Sequence, residues 1–529
     1  MESTPNNISE LARTVLFSRS RVDKNETHTS AFDPVTPGPL ASEGDRGRDN
    51  GRNKFLILSS SLLVDRVLLH TSVLTSLNKK GETRVWATSA TGSGGHSPWR
   101  HVDAQVEAFP LVNAFKEFPY NYFRRLNEFA WDYRLRPPSR VSIQKHVRNK
   151  RRRLRIRMLK PLGFLLATLG FENYFEQKVQ SLLLSSPIRS SEGFARLQAY
   201  DPTLIVSSGL FQFEQPALFE AAKKLKIPTL AYVPSWDNIS TKNRMVYRYD
   251  GYIVWSEQVK KELHEFYPAT KNAPVYVVGA PQFDVFFNER YYQTREAFCE
   301  QQQLDPSLPI VVYALGSPNF LQEHHGALEF ARRIAGGELG RVQLLIRPHP
   351  IHDNAEMKAM FDNFGPLVRL QESPNAGIKL VRRSQDTKQI TEWINTFRHA
   401  DVVINLSSTV TVDAAIFDKP VVNLDFDPQP SKGDQQLVKD INHKWSHFKP
   451  IAESGGVWLV EDFDQMVDAV KTYLRDPELH REQRKWIADY VCGYLDGRCG
   501  ERMAAAIDDF AGLVQSKKRD TLKISDRNT

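Results

Sequence analysis

The sequence predicts an α/β protein made of two tandem, doubly wound parallel-sheet domains that face a cleft. Three observations lead to this prediction. Short apolar runs typical of buried strands alternate with helical segments, the alternation occurs in two separate series, and a polar stretch at 288–308 divides the two series. Strands that are apolar on both faces are typical of parallel sheets covered by helices on each side. Ligands of such sheets bind beyond the carboxyl ends of the strands.

Length and composition exclude several classes of protein. The chain has 529 residues, enough for two or three domains, and 41% of them are hydrophobic and 25% charged, so overall disorder is excluded. Three cysteines without a CxxC pair fit a reducing compartment and make neither a disulfide framework nor, without a histidine, a four-ligand zinc site. No apolar run reaches the ~18 residues that span a bilayer, and no secretory signal is visible at the N-terminus. We therefore expect a cytoplasmic protein.

The first series of elements forms an N-terminal domain at 54–288. Residues 1–53 are rich in polar residues, Gly and Pro, and we expect a disordered leader there. A helix is expected near 65–79 and is expected to stop at Gly81, and the irregular, then basic and helical stretch 92–195 is predicted to be an insertion. Further helices are expected at 216–225 and 257–266. Strands are expected at 55–61, 84–88, 203–208, 228–233, 252–255 and 275–279.

The second series forms a C-terminal domain at 305–475, followed by C-terminal helices and a tail at 476–529. Its apolar runs are again short and separated by amphipathic segments. Asp284 ends the first series and is expected to shape the connection between the domains. Strands are expected at 310–314, 342–346, 367–370, 402–405, 421–424 and 457–459, and helices near 322–335, 387–399, 409–417 and 463–474.

The net charge of +8 is concentrated in one segment. Residues 145–160 contain nine Lys or Arg and no acidic residue, so the rest of the chain carries a formal charge of −1. The apolar stretch 161–171 follows directly and is too short to cross a membrane. A basic segment beside apolar side chains suits an anionic membrane surface. The alternative interpretation, with equal support, is a solvated basic helix beside a buried helix. Nucleic acid is not expected as a partner, because the cluster lacks stacking aromatic residues and a reader motif.

Two motifs follow strands of the second domain, and both suit a phosphate group. Arg347-Pro-His349-Pro comes directly after the second strand, where a guanidinium and an imidazole can donate to phosphate oxygens and the prolines stiffen the turn. Asn405-Leu-Ser407-Ser408-Thr409 follows the fourth strand and opens a helix, so its hydroxyl groups and N–H groups can cap the helix, bind an anion, or do both. The alternative for the first motif is a surface turn with a capping histidine.

Three further places carry candidate residues. Gly316 and Ser317 follow the first strand of the second domain, where a glycine lets a ligand approach the backbone. Asp413 lies one turn inside the helix after the serine doublet and is a candidate for ribose hydroxyls or an ordinary solvated helix residue. Pro234-Ser-Trp236-Asp237-Asn follows a strand of the first domain; there Trp236 could stack on a sugar and Asp237 could act as a general base, or both could belong to an Asx-type turn.

The motifs together resemble nucleotide-sugar-dependent glycosyltransferases of the type-B (GT-B-like) architecture, which has two Rossmann-like domains. The resemblance rests on RPHP at 347–350, the run ADVVINLSSTVTVDAAIFDKPVVN at 400–423, and DGRCGER at 496–502. Bacterial surface- and capsule-carbohydrate transferases and the CDP-glycerol glycerophosphotransferases are the families it resembles within that architecture. The pair of His-Pro and Ser-Ser motifs also resembles bacterial sialyl- and Kdo-transferases, which use CMP-sugars. The likeness covers about 200–510, and the region where the glycerophosphotransferases carry a His-Gly motif holds Pro-Ser-Trp-Asp-Asn here.

The resemblance implies roles for the residues of the cleft. In these families the Arg/His-Pro and Ser-Ser motifs hold the donor's phosphates, which implies that role for Arg347, His349, Ser407 and Ser408, and a ribose-binding role for Asp413. Donor contacts are also expected from Gly316, Ser317, Asn405 and Thr409. No DxD-type metal motif is apparent in the right setting, which fits type-B enzymes that stabilise the leaving phosphate with protein donors, so we expect no metal and no cofactor apart from the nucleotide-sugar substrate.

The function that follows is transfer of a sugar from a nucleotide-sugar donor to a surface-polysaccharide or lipid-linked acceptor. The acceptor attacks the anomeric carbon, Arg347 and the serine hydroxyls neutralise the leaving phosphate, His349 donates to the leaving oxygen, and Asp237 is the candidate base. The segment 145–171 would dock the first domain on the inner face of the membrane. Alternatives are a CDP-glycerol-type glycerophosphotransferase, a sugar-nucleotide 2-epimerase with the same fold, and a non-catalytic carbohydrate-binding protein.

Overall fold

The structure, a computed structural model, has the two parallel-sheet α/β domains expected from the sequence. Residues 1–51 of the expected leader and residues 149–157 of the basic segment lie outside the described part of the chain. The structure describes residues 52–90, 99, 102–110, 120–148, 158–171, 174, 178, 192–211, 215–245, 247–318, 321–373, 386–429 and 434–527.

The first sheet has seven strands in the order β3-β2-β1-β4-β5-β6-β7, and every neighbouring pair is parallel. Its central strands are buried along their whole length, as expected for a sheet covered on both faces. The strands are β1 (Asn53–Ser59), β2 (Gly81–Ala87), β3 (Gln105–Ala108), β4 (Leu204–Ser207), β5 (Thr229–Tyr232), β6 (Gly251–Val254) and β7 (Val275–Val277).

The second sheet has six strands in the order β10-β9-β8-β11-β12-β13, again all parallel. The order reverses beside β8, so this sheet has its switch point between β8 and β11, where ligands of doubly wound sheets bind. The strands are β8 (Ile310–Ala314), β9 (Gln343–Arg347), β10 (Val368–Leu370), β11 (Val402–Asn405), β12 (Val421–Leu424) and β13 (Trp458–Val460).

Helices connect the strands and cover both sheets. In the first domain they are α1 (Leu62–His70), α2 (Val73–Asn78), α3 (Tyr120–Leu135), α4 (Pro138–Ile143), α5 (Leu159–Thr168), α6 (Glu192–Tyr200), α7 (Pro216–Lys224), α8 (Asn238–Thr241) and α9 (Glu257–Phe266). In the rest of the chain they are α10 (Arg295–Gln302), α11 (His324–Ala335), α12 (Asn354–Phe361), α13 (Thr387–His399), α14 (Thr409–Ile416), α15 (Gln435–His443), α16 (Lys449–Glu453), α17 (Phe463–Arg475), α18 (Arg481–Cys492) and α19 (Cys499–Arg527).

The first domain differs from the expected elements in three ways. The helix expected at 65–79 is two helices, because Thr71 takes an extended conformation and its hydroxyl group bonds back to the Val67 carbonyl. Gly81 begins β2 instead of ending a helix, because a side chain there would collide with the carbonyl oxygen of Asn53 on the neighbouring strand. The stretch 92–195 also supplies the edge strand β3, so part of it belongs to the sheet.

The two domains share one hydrophobic core on one side of the second sheet. Ile310 and Val312 of β8 pack into the cluster that fills the first domain, whereas Val311 and Tyr313 pack into a second cluster on the opposite face. This alternation follows the period of two of a strand. The second sheet is therefore buried on both faces, and its position against the first domain is set by continuous apolar packing.

The C-terminal helix α19 returns to the first domain. Both oxygens of Asp284 accept hydrogen bonds from the backbone N–H groups of Cys499 and Gly500 at the start of α19, at 3.0 and 2.7 Å. Phe510, further along α19, packs so closely on Gly251 that a Cβ atom there would lie 2.6 Å from its ring. Asp284 thus ties the end of the chain to the junction between the domains.

Helix α5 leaves a row of apolar side chains exposed beside the basic segment. Met158, Phe164, Leu165, Leu169 and Phe171 are each about half or more exposed. The other face of α5 packs on α3, with Gly163 against Phe129. In the part of the chain that the structure describes, no helix combines the length and the apolarity that crossing a membrane requires.

Candidate functional site

Three loops of the second domain leave the same edge of the sheet at the same level. The register pairs Ala314 of β8 with Arg347 of β9 on one side and with Asn405 of β11 on the other. Because the three strands are parallel, the loops after them start side by side, at the carboxyl edge. The Arg-Pro-His-Pro turn and the serine doublet therefore flank the Gly316–Ser317 loop, which follows Ala314 between them.

Glu323 lies just before α11 and joins two of these loops. Its Oε2 accepts a hydrogen bond from the Gly316 N–H group at 2.6 Å. The Leu406 N–H group, on the loop after β11, acts with it to lower the pKa of the carboxyl group. Burial raises the pKa of Glu323 to about 8 despite these two donors. A Cβ atom at Gly316 would lie 2.9 Å from Glu323 Oε2, so a larger residue here would displace the Glu323 carboxyl group.

Arg347 ends β9 and lines a cavity of about 120 Å³ between the domains. Arg66 of α1 lines the same cavity from the first domain, together with Glu392 and Trp393 of α13. Burial lowers the pKa of Arg347, although Asp413 and Glu392 act in the opposite direction. The cavity has room for a phosphate group, whereas whole small-molecule ligands need ~300–1,000 Å³.

Asp413 lies on α14, is buried, and interacts electrostatically with the guanidinium groups of Arg347 and Arg66. Its Oδ2 accepts a hydrogen bond from Trp393 Nε1 at 3.0 Å, while its Oδ1 has no hydrogen-bond partner among the described residues. Burial raises the pKa of Asp413 to about 6, and Trp393, Arg347 and Arg66 hold it from rising further. The guanidinium of Arg66 stacks over the Trp393 ring, 4.1 Å from its centroid.

His349 is held in one tautomer by its own turn. Its Nδ1 accepts a hydrogen bond from the Ile351 N–H group at 3.2 Å, and its carbonyl oxygen accepts from the His352 N–H group at 2.9 Å. Since Nδ1 accepts, the neutral imidazole carries its proton on Nε2. This tautomer presents a donor, which is what contact with a phosphate oxygen requires.

The serine doublet combines a strained residue with a helix cap. Ser407 has a φ of +41°, which is unfavourable for a residue other than glycine, and its hydroxyl group donates to Asn442 Oδ1. Ser408 caps α14: its Oγ accepts from the Val410 N–H group at 3.3 Å and donates to Asn405 Oδ1 at 3.1 Å. The capping expected from the sequence is therefore present, and the strain at Ser407 sets the direction of the turn.

The loop after β5 in the first domain contacts this helix terminus. Trp236 Nε1 donates to Thr409 Oγ1 at 3.4 Å, and the Trp236 ring is buried against His447. Trp236 is thus part of the contact between the domains instead of an open stacking platform. The same loop joins the domains a second time, through Ser240 Oγ and His447 Nδ1 at 3.1 Å.

Asp237 makes the contacts of a turn-forming carboxylate. One oxygen accepts from Ser235 Oγ at 2.5 Å and Asn238 Nδ2 at 3.0 Å, and the other accepts from Thr241 Oγ1 at 3.0 Å. Burial acts to raise the pKa of Asp237, but nearby cationic groups and these hydroxyl donors outweigh it, so the pKa lies below its ordinary value. All three donors are side chains and Asp237 makes no side-chain cap bond to α8, so the contacts are not those of an Asx-type turn; they brace the turn through side chains, and that structural role is favoured over a general base.

Sequence reasoning missed Arg66, Glu323 and Trp393. Arg66 had a usable signal, since it lies in the helix that follows β1 and therefore near the carboxyl edge of the first sheet. Glu323 and Trp393 had no such signal in the sequence, because the role of each depends on a contact with a residue far away in the chain. In the described ranges no group of three or more His, Cys, Asp or Glu side chains is arranged to hold a metal ion.

Solved structures share the two-domain type-B fold. A UDP-N-acetylglucosamine 2-epimerase from Listeria monocytogenes is 12% identical, with a TM-score of 0.50 over 87% of this chain and 97% of that one. A glycosyltransferase from Rickettsia africae is 10% identical, with a TM-score of 0.45 over 87% of this chain and 99% of that one. At 12% identity the likeness to the epimerase concerns the fold alone. Comparison with curated protein sequences gives no significant match.

A family model matches more than half of the chain. The matched residues, 232–508, begin at the end of β5 and run through the second domain into α19. They include the Arg-Pro-His-Pro turn, the serine doublet and Asp413, so the match covers the described cleft edge of the second domain. The family is that of the CDP-glycerol:poly(glycerophosphate) glycerophosphotransferases. The chain belongs to this family of transferases.

Proposed function

We propose that the protein transfers a sugar from a nucleotide-sugar donor to a surface-polysaccharide or lipid-linked acceptor. One observation carries the proposal: Arg347 and Arg66, one from each domain, line a phosphate-sized cavity at the carboxyl edge of the second sheet, and the buried Asp413 acts electrostatically on both guanidinium groups. The two guanidinium groups can bind a phosphate ester, and the carboxyl groups nearby, Glu372 and Glu392 in the cavity wall and Asp413 behind it, can accept from a neighbouring hydroxyl group. Both features occur in a nucleotide donor.

The proposed reaction is displacement of the nucleotide phosphate by an acceptor hydroxyl group. The acceptor oxygen forms a bond to the anomeric carbon while the bond from that carbon to the phosphate oxygen breaks. Arg347 and the hydroxyl groups of Ser407 and Ser408 stabilise the negative charge that develops on the leaving phosphate, and His349 Nε2 donates to it. Gly316, Ser317, Asn405 and Thr409 shape the donor site around it. Asp413 Oδ1 accepts from a ribose hydroxyl group, and no metal takes part.

Transfer of glycerophosphate is the second candidate, and the match to the CDP-glycerol family favours it. The leaving group is again a nucleotide phosphate, so the same residues would stabilise it. The attacked atom is then phosphorus, and the acceptor is the end of a glycerophosphate polymer. The two candidate reactions share the nucleotide leaving group and its binding residues. They differ in the transferred group, and therefore in the part of the cleft that binds that group.

A product assay with radiolabelled donors tests both candidates. Purified protein is incubated with CDP-glycerol or with each of a set of nucleotide sugars, with and without membranes as a source of acceptor. Label that passes from a nucleotide sugar to a lipid or polymer supports the first candidate, and label from CDP-glycerol supports the second. Conversion of the sugar without an acceptor indicates an epimerase, and no conversion of any donor contradicts transfer.

The catalytic base needs a separate experiment, because the contacts of Asp237 favour a structural role. Asp237→Asn keeps the size of the side chain and removes its charge. If Asp237 is the base, turnover falls at least a hundredfold while donor affinity and melting temperature stay the same. If it only forms the turn, the melting temperature and turnover fall together.

We also propose that 145–171 docks the protein on an anionic membrane. The exposed apolar row of α5 follows a segment with nine cationic and no acidic residues. Each Lys or Arg at such a surface contributes about 1 kcal/mol, and the apolar side chains can insert among the lipids. Docking of this kind would bring the cleft to a lipid-linked acceptor.

A further inference from the structure

A second pocket lies in the first domain, away from the cleft. It has a volume of about 360 Å³, within the range of small-molecule sites. Its walls come from the end of α3, from residues 244–245 and 247–249 ahead of β6, and from the end of α9 with the turn after it. Because Tyr249 precedes β6, the pocket lies near the amino end of this strand, whereas the cleft lies at the carboxyl ends.

The charged side chains of the pocket are all cationic. Arg134 and Arg248 are exposed at its mouth, and Arg244 is buried, with its guanidinium donating to Asn127 Oδ1 at 3.0 Å. None of the lining residues is acidic. Two acidic residues lie close by: Asp250, whose Oδ2 accepts from the N–H group and the hydroxyl group of Thr229, both at 2.9 Å, and Glu220. Burial is the largest cause of the raised pKa of the lining residue Tyr247, and both acids act to raise it further.

Aromatic rings make up the rest of the wall. Trp131 stacks on Tyr267 at 5.3 Å between ring centroids, and its Nε1 donates to the Phe266 carbonyl at 2.8 Å, so both rings are held in place. Tyr247 is partly exposed and packs edge-on against Tyr249 at 5.3 Å. Trp131 is itself buried, so the exposed part of the aromatic wall comes from Tyr247 and Tyr267. Aromatic faces suit the C–H surface of a sugar ring, and guanidinium groups pair with phosphate oxygens.

We propose that this pocket binds a phosphorylated sugar, separately from the donor in the cleft. A sugar phosphate matches both halves of the pocket, since the ring lies against the aromatic wall and the phosphate faces the three guanidinium groups. The pocket also borders α3, whose Tyr133 contacts Phe164 of the apolar row at 5.5 Å between ring centroids. A phosphorylated glycan held near a membrane would therefore be within reach of this site.

Calorimetric titration of the full chain with glucose 1-phosphate tests the proposal. Wild type is expected to bind it saturably, and the double variant R134Q/R248Q is expected to bind at least tenfold more weakly, because both guanidinium groups lie at the mouth. Both side chains are exposed, so the variant should keep the wild-type melting temperature and transfer activity. The matched control is Arg332→Gln, an exposed arginine on α11 that is 59% exposed, which should bind like wild type.

Further arms of the titration separate this pocket from the cleft and define its ligand. Binding should persist in Ser408→Gly, a variant of the cleft; loss in that variant, or wild-type affinity in R134Q/R248Q, overturns the proposal. Inorganic phosphate that binds as tightly as glucose 1-phosphate overturns the sugar specificity. A glucose phosphodiester that binds better than the monoester indicates a polymer unit, and the reverse order indicates a soluble metabolite. Either order supports a phosphorylated sugar.

Discussion

The pKa of the buried carboxyl group of Asp413 depends on residues of both domains. Its pKa rises from 3.8 to about 6 because burial outweighs the attraction of Arg347 and Arg66. A carboxyl group whose pKa is higher in the folded than in the unfolded state binds its proton more tightly when folded. Folding is then stabilised at pH values below about 4, and this stabilisation is lost as the pH rises to 6.

This linkage predicts the pH dependence of the Asp413→Asn variant. Relative to the variant, wild type should lose up to about 3 kcal/mol of unfolding free energy between pH 4 and pH 7, at about 1.4 kcal/mol per pKa unit. Asparagine can still accept the hydrogen bond from Trp393. Denaturant unfolding of both proteins across this range measures the difference, and a difference that stays constant with pH contradicts the raised pKa.

Arg347 is the cationic residue that ends β9 at the cavity, and its removal should affect chemistry more than folding. We expect Arg347→Ala to reduce kcat/KM for the donor by about 10²–10³, the usual cost of removing one group that stabilises developing charge. The control is Arg332→Ala, on the exposed face of α11. Steady-state kinetics with either donor class measures the effect, and wild-type turnover in Arg347→Ala would remove the phosphate role from this residue.

The site residues that can be predicted from the sequence are those indicated by a pattern of neighbouring residues. The Arg-Pro-His-Pro turn and the serine doublet each follow an apolar strand directly, so a few neighbouring residues place them at a sheet edge. Arg66 and Trp393 are more than 300 residues apart, and no local pattern signals that they stack. The same holds for Glu323, whose two backbone partners lie on different loops.

At the scale of elements, the parallel sheets were predictable because their strands are continuous apolar runs. The edge strand β3 was not, since it is only four residues long, alternates polar with apolar residues, contains no buried residue, and depends for its identity on pairing with β2. The break between α1 and α2 was missed for a related reason. Thr71 and Ser72 fit a helical pattern, and only the bond from the Thr71 hydroxyl group to Val67 shows where the first helix ends.

The apolar row of α5 leads to a prediction about membrane binding. We expect the double variant F164S/L165S to bind vesicles containing phosphatidylglycerol at least tenfold more weakly than wild type, because two exposed apolar side chains no longer insert. Leu513→Ser on α19 removes an exposed apolar residue outside 145–171 and serves as the control. Vesicle sedimentation at low and high salt measures both the apolar and the charged contribution.

Equal vesicle binding by F164S/L165S and wild type would contradict the docking role of α5. Binding that is lost in the variant but insensitive to salt would contradict the role of the basic segment. Neither result would affect the assignment of the cleft, because α5 lies on α3 and does not line the cavity between the domains.

Helix α19 should contribute substantially to the stability of the first domain. Phe510 is buried against Gly251 and Tyr276, so we expect Phe510→Ala to lower the free energy of unfolding by about 3–5 kcal/mol. The control Leu513→Ala, at a partly exposed position of the same helix, should cost much less. Urea denaturation measures both, and equal effects of the two variants would contradict close docking of α19.

At the scale of the whole molecule, the two domains form a single unit around the cleft. One apolar cluster passes from the first sheet to the second, Phe286 stacks on Phe417 at 4.8 Å, and Trp236 reaches the cap of α14. These contacts hold the carboxyl edges of the two sheets against each other. The sequence predicted the cleft from the order of the elements, whereas the contacts that close it come from pairs of residues far apart in the chain.

Donor binding by wild type, Arg347→Ala, Ser408→Gly and the double variant tests the central claim most directly. Glycine is chosen because it replaces serine as a helix cap at a cost of only a few tenths of a kcal/mol. Calorimetry uses the donor that wild type turns over, CDP-glycerol or a nucleotide sugar. If both residues hold the same phosphate group, each single variant weakens binding and the double variant weakens it by less than the product of the two effects. Wild-type affinity in both single variants would contradict the claim.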